Sequence, residues 1–108
     1  MHAECVAWFR KTFPATLGWH TPNGGKRGKA EAAKFRRLGV LPGVPDWIIL
    51  QTNREPCFIE FKTSKGRVSP GQKDFAEEVE AMGLKFLIVR SFKEFVSICS
   101  QLRKEGLI

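Results

Sequence analysis

From residue 46 to residue 62 the chain reads DWIILQTNREPCFIEFK, and no other stretch narrows the fold as much. Two apolar, β-prone runs, Trp47 to Leu50 and Cys57 to Phe61, flank the polar segment QTNREP. That pattern predicts an antiparallel hairpin. Alternate strand residues face the same way. Glu60 and Lys62 therefore share a face with Phe58, while Cys57, Ile59 and Phe61 take the other. A hairpin brings the start of its first strand beside the end of its second, so Asp46 lies near Glu60 and Lys62. The turn leaves the register open. A register that sets Asp46 opposite Glu60 puts all three charges on one face, in the driest part of the chain.

The remaining elements follow from periodicity and punctuation. Cys5, Trp8, Phe9 and Phe13 recur at helical spacing and predict a helix from about His2 to Phe13, ended by Pro14. TLGWHT suits a short strand, and PNGGKRG is a glycine-rich loop. KAEAAKFRRL is a helix stopped by Gly39, and LPGVP leads rigidly into the hairpin. SPGQ predicts a capping box, Ser69 with Gln72, opening a helix with Phe75, Val79 and Met82 as its buried stripe and Gly83 as its stop. KFLIVR, apolar on both faces from Phe86 to Val89, predicts a central strand covered by helices. SFKE, Ser91 with Glu94, predicts a second capping box. The last helix then buries Phe95, Val96, Cys99 and Leu102 before Gly106. The order α-β-α-β-β-α-β-α predicts one α/β domain over residues 1–108, its mixed sheet antiparallel in the hairpin and parallel beyond it.

Composition excludes several classes. No apolar run approaches the roughly 20 residues of a membrane span. The N-terminus MHAECVAWFRKTF reads as an amphipathic helix without the features of a secretory signal. Cys5, Cys57 and Cys99 match no zinc-ligand spacing and are odd in number, so buried free thiols in a reducing cytoplasm are expected. Lys and Arg outnumber Asp and Glu by 18 to 11, a net charge of +7. The excess is concentrated in KRGKAEAAKFRR, residues 26–37, which favours a polyanionic partner over mere solubility.

Two carboxylates pressed together repel and raise each other's pKa. A lysine relieves this in part and a divalent cation in full. Oxygen ligands from two acids suit Mg²⁺ or Mn²⁺, and the lysine can then act on the attacking water or offset charge on a phosphate. Glu60 and Lys62 alone would read as a common surface ion pair. Asp46 after a proline, the hairpin spacing and the basic balance together favour the metal site.

Here the chain resembles a known family. Pro45-Asp46 followed by Glu60-Phe61-Lys62 resembles the PD-(D/E)xK nuclease motif. PNGGKRGKAEAAKFRRLGVLPGVPDWIIL followed by FIEFKTSKGRVSPGQKDF is similar to the VRR-NUC nucleases, which include small stand-alone phage and bacterial proteins. The resemblance runs from Glu4 to about Val96. It implies a restriction-endonuclease-like α/β core, with a central β-hairpin in a mixed sheet flanked by helices. It implies that Asp46, Glu60 and the backbone carbonyl of Phe61 bind Mg²⁺ or Mn²⁺, that Lys62 acts on the attacking water, and that Gln72 lines the site. Glu4 would hold a water on the metal or a second ion, unless it only complements its helix's dipole. Asn23, Lys26, Arg27, Lys29, Arg36 and Arg37 are expected on DNA, with Lys65 and Arg67 reaching the backbone beside the cut. His20 is expected to be structural or to contact DNA. The implied activity is a metal-dependent endonuclease cutting branched DNA such as four-way junctions, as a homodimer. The alternative is a basic DNA-binding or accessory module with a nuclease-like fold that does not cut.

Overall fold

The computed structural model describes residues 1–21 and 28–108. Eight elements follow in order: α1 (His2–Thr12), β1 (Leu17–His20), α2 (Lys29–Arg37), β2 (Trp47–Leu50), β3 (Cys57–Phe61), α3 (Pro70–Ala81), β4 (Lys85–Val89) and α4 (Phe92–Lys104). The strands form one sheet in the order β1-β2-β3-β4. β1 and β3 each run antiparallel to β2, and β4 runs parallel to β3.

Strand alternation divides the sheet into two apolar faces. Trp47 and Ile49, with Cys57, Ile59, Phe61 and Val89, face α1 and α4 and pack with Cys5, Phe9, Phe13, Phe95, Cys99 and Leu102. Each large side chain buried there contributes about 1.5–3 kcal/mol. Gly18 lies under this layer because nothing larger fits: a Cβ would stand 2.6 Å from the Trp47 indole and 2.9 Å from the Phe9 ring. The opposite face carries Phe58 and Phe86 against Phe75 of α3, with ring centroids 5.4 and 6.0 Å away. The three cysteines are free and buried. Burial pushes all three thiols upward, Cys99 to about 12. Among the described residues, no helix is long and apolar enough to cross a membrane.

Three expectations need adjustment. Met82 is 71% exposed and stands outside the stripe, which α3 forms with Phe75 and Val79. Gly83 follows so closely that the last turn of α3 lifts Met82 clear of the sheet. β4 is an edge strand, not a central one. Its two faces are apolar because α3 packs on one and α4 on the other. The second capping box is half formed. Ser91 Oγ accepts from the Glu94 N–H at 3.0 Å, but Glu94 Oε1 accepts from the Arg90 N–H at 3.3 Å, one residue before the cap. At Ser69 both reciprocal bonds are present. As its basic composition suggests, α2 buries no residue fully. It is a basic surface helix resting on the α3 side.

Candidate active site

The hairpin register brings the acids together. Trp47 pairs with Ile59 and Ile48 with Phe58; one step further sets Asp46 opposite Glu60, and two steps set Pro45 opposite Phe61. The Lys62 N–H reaches the Val89 carbonyl at 2.9 Å. Strand alternation therefore turns the Ile59 and Phe61 backbone groups toward β2. Asp46 and Glu60 form the non-hydrogen-bonded kind of antiparallel pair, the one with the closer side chains. Opposite Phe61 the ladder fails, because Pro45 has no N–H to offer the Phe61 carbonyl. Side chains replace the ladder there. Phe61 N–H donates to Asp46 Oδ2 at 3.0 Å, and Asp46 N–H donates to Glu60 Oε1 at 3.2 Å.

Two further residues close on Glu60. Lys62 Nζ stands 3.5 Å from Glu60 Oε2. Gln72 Nε2 donates to the same oxygen at 2.9 Å. The cap fixes the Gln72 amide, because its Oε1 accepts from the Ser69 N–H at 3.0 Å and so leaves the nitrogen facing Glu60. The loop before the hairpin positions the α3 N-terminus. Gly43 has φ +85°, and a Cβ there would lie 2.1 Å from the Gly71 carbonyl oxygen and 2.6 Å from the Gln72 nitrogen. Backbone packs directly on backbone. GVPD and SPGQ, far apart in sequence, are thus two sides of one contact.

The electrostatics are those of a pair short of positive charge. The Glu60 side chain is 6% exposed. Burial first, then the charge of Asp46 and a hydrogen bond with it, push the Glu60 carboxyl from 4.5 up to about 7; Lys62 opposes this only in part. Two hard oxygen donors, one of which holds its proton to about 7 beside the other, next to a carbonyl that proline deprives of its ladder partner, fit a small divalent cation. Among the described residues no three His, Cys, Asp or Glu side chains converge as a metal cluster. The groups that would hold a cation here are Asp46, Glu60 and the Phe61 carbonyl.

The structure brings together Asp46, Glu60, Lys62 and Gln72. Glu4 is not among these contacts: its carboxylate is exposed and pairs with the N-terminal ammonium at 3.4 Å. Lys29, Arg36 and Arg37 are exposed on α2, and Lys65 and Arg67 on the loop after β3. Asn23, Lys26 and Arg27 lie outside the described residues.

Three further side chains flank the site. His20 Nδ1–H donates to the Asp46 carbonyl at 3.0 Å, beside the Thr21 N–H at 2.7 Å, so β1 anchors the strand end that carries Asp46. The His2 ring lies 4.8 Å from the His20 ring and 4.3 Å from the Phe61 ring. Burial, then His20, lowers its pKa. Arg90 Nη1 donates to the Thr63 and Gly66 carbonyls at 2.8 and 2.7 Å, holding the loop that bears Lys65. Sequence reasoning passed over His2 and Arg90. The only signal was the position of Arg90 directly after a parallel strand, where its side chain meets the end of β3.

Comparison with known proteins adds an independent line. A family model described as the VRR-NUC domain matches residues 2–93. A solved structure titled "VRR_NUC domain protein" superposes with a TM-score of 0.71 at 24% identity, covering 93% of this chain and 82% of that one. At that identity the likeness speaks for the fold. No curated protein matches the chain.

Proposed function

Because this chain belongs to the VRR-NUC domain family, a family of nuclease domains, we propose that it is a Mg²⁺- or Mn²⁺-dependent DNA endonuclease acting on branched DNA. The observation that carries the reading is the buried Glu60 carboxyl set against the half-buried Asp46, a pairing that Lys62 opposes only in part. When bound, the cation supplies Lewis acidity and lowers the pKa of water. The chain's own groups do the rest. Asp46, Glu60 and the Phe61 carbonyl hold the ion. Gln72 fixes the rotation of the Glu60 carboxylate. Lys62 Nζ holds the attacking water or meets the charge growing on the phosphate. Glu4, at the head of α1, serves through an outer water. Lys29, Arg36, Arg37, Lys65 and Arg67 neutralise phosphates, as do Lys26 and Arg27, and the Asn23 amide donates a hydrogen bond to the DNA.

One site cuts one strand at a time. Resolving a four-way junction takes two opposed cuts, which a two-fold homodimer places symmetrically. The test is incubation of plasmid and four-way junction DNA with homogeneous protein in Mg²⁺, Mn²⁺, Ca²⁺ or EDTA. Cutting is expected in Mg²⁺ and Mn²⁺, with binding but little cutting in Ca²⁺. Robust cleavage in EDTA would sink the proposal. Binding without cutting in every metal would favour the non-cleaving module.

A further inference from the structure

The chemistry above gives the end of β4 no part. Arg90 follows β4 directly, and its backbone N–H donates to Glu94 Oε1 at 3.3 Å. Its side chain reaches the segment after β3. One nitrogen, Nη1, donates to the Thr63 carbonyl at 2.8 Å and to the Gly66 carbonyl at 2.7 Å. Those carbonyls are the two ends of a tight turn, which the Gly66 N–H closes on the Thr63 carbonyl at 3.1 Å. Ser64 and Lys65 are its central residues. We infer that Arg90 is a positioning residue for strand cutting: it clamps this turn, and through the turn it holds Lys62 against Glu60 and Lys65 beside the DNA. The inference rests on the nuclease reading and deepens it by naming what places the reactive lysine.

Three observations carry it. The β3–β4 ladder reaches its end at Lys62, whose N–H meets the Val89 carbonyl at 2.9 Å. Past that point the Arg90 side chain ties the two strand ends together. Next, the turn folds back onto the lysine: a Cβ at Gly66 would stand 3.1 Å from Thr63 Oγ1 and 3.4 Å from Lys62 Cβ. Lys62 is thus held at both ends, by the turn at its root and by Glu60 Oε2, 3.5 Å from Nζ, at its tip. A lysine stem has four flexible carbons and takes a fixed place only where its neighbours impose one. Last, the clamp spends both hydrogens of Nη1 on carbonyls. Such bonds from a charged planar group are strong and directional, which suits a brace. The turn carries Lys65 out to solvent, with Arg67 following, and these are the charges offered to DNA.

The test compares wild type, Arg90→Ala and Arg90→Lys on plasmid and four-way junction DNA, with folding verified by urea unfolding. Cutting in Mn²⁺ is read in a single turnover at saturating DNA, affinity for DNA in EDTA by anisotropy, and the Gly66 N–H by amide exchange. Arg90→Ala should cut about 10- to 100-fold more slowly at saturation, the loss expected when a reacting group shifts by about 1 Å. Its affinities for DNA and Mn²⁺ should stay within a few-fold of wild type, and its Gly66 N–H should exchange faster. Guanidinium ion at millimolar concentration, far below denaturing levels, should restore part of the rate to Arg90→Ala and none to Lys62→Ala. Arg90→Lys keeps the charge without the planar fork and should cut at an intermediate rate; it carries the comparison if Arg90→Ala does not fold. Cutting by the variants at the wild-type rate overturns the inference and leaves the nuclease reading standing. So does a loss that excess DNA repairs, which would make Arg90 a phosphate contact. If wild type cuts in no metal, the nuclease reading fails and the role in cutting with it, while faster Gly66 exchange in the variants would still establish the clamp.

Discussion

Replacing Glu60 by glutamine should stabilise the metal-free protein at high pH while destroying its metal site. Glu60 holds its proton to about 7 in the fold, against an ordinary 4.5, and that difference is worth about 3 kcal/mol. A proton held more tightly by the folded than the unfolded chain stabilises the fold at low pH. This contribution is fully present below 4.5 and is lost as pH rises through 7. Glutamine never carries the charge, so the variant escapes the loss. It has its own cost. Gln72 presents its NH₂ to Glu60 Oε2 and Asp46 presents its N–H to Oε1, so one of the two donors meets a second NH₂ group, at about 1 kcal/mol. Glu60→Gln should therefore be about as stable as wild type near pH 5, where wild type has already lost roughly 0.8 kcal/mol of the contribution, and about 2 kcal/mol more stable at pH 8. Urea unfolding of both proteins in EDTA at the two pH values measures this. Taking the difference between the proteins cancels every other titrating group. Mn²⁺ at a hundred times its dissociation constant should then raise wild-type stability by about 2.7 kcal/mol and leave the variant unchanged. A difference between the two proteins that is the same at pH 5 and pH 8 would show that Glu60 ionises normally, and the argument for a cation would lose its basis.

Lys62→Ala should abolish cutting yet retain Mn²⁺ binding within a few-fold at pH 8; calorimetric loss as large as in Asp46→Ala would contradict its assignment to the water rather than the metal. Gly43→Ala forces a Cβ against the Gly71 carbonyl at positive φ and should cost about 2–4 kcal/mol in urea unfolding; wild-type stability would show that α3 does not depend on that contact. DNA affinity should fall steeply with salt, and Arg36→Ala or Arg37→Ala should flatten the slope of log affinity against log salt, so an unchanged slope in both variants would remove α2 from the interface. Light scattering should give a dimer, alone or on junction DNA; a mass near 12.2 kDa in both conditions would point instead to a nuclease working as a single subunit.

Local pattern sufficed for the elements. Trp47–Leu50 and Cys57–Phe61 are strands because their β-branched and aromatic residues alternate between two faces. Ser69 to Gln72 opens a helix because a hydroxyl and an amide can trade hydrogen bonds with the backbone three residues apart. The sharing of a face by Glu60 and Lys62 followed from strand geometry alone. What could not be read locally was anything that depends on where a second segment lies. The register that sets Asp46 against Glu60 is decided by the fit of Trp47 and Ile49 into the α1–α4 layer, since a one-residue slip would turn them to the other side. The edge position of β4 is invisible in KFLIVR, because an edge strand with a helix on each face has the same apolar pattern as a central one. His2 and His20 meet at the site only because α1 and β1 converge on the end of β2 that carries Asp46. Gln72 reaches Glu60 at the head of α3, whose first turn sits against Gly43 with backbone directly on backbone. Sequence specifies which groups are present and how each local segment turns. Contacts between distant segments, through burial and backbone approach, decide which of those groups share a charge, a proton or a pocket.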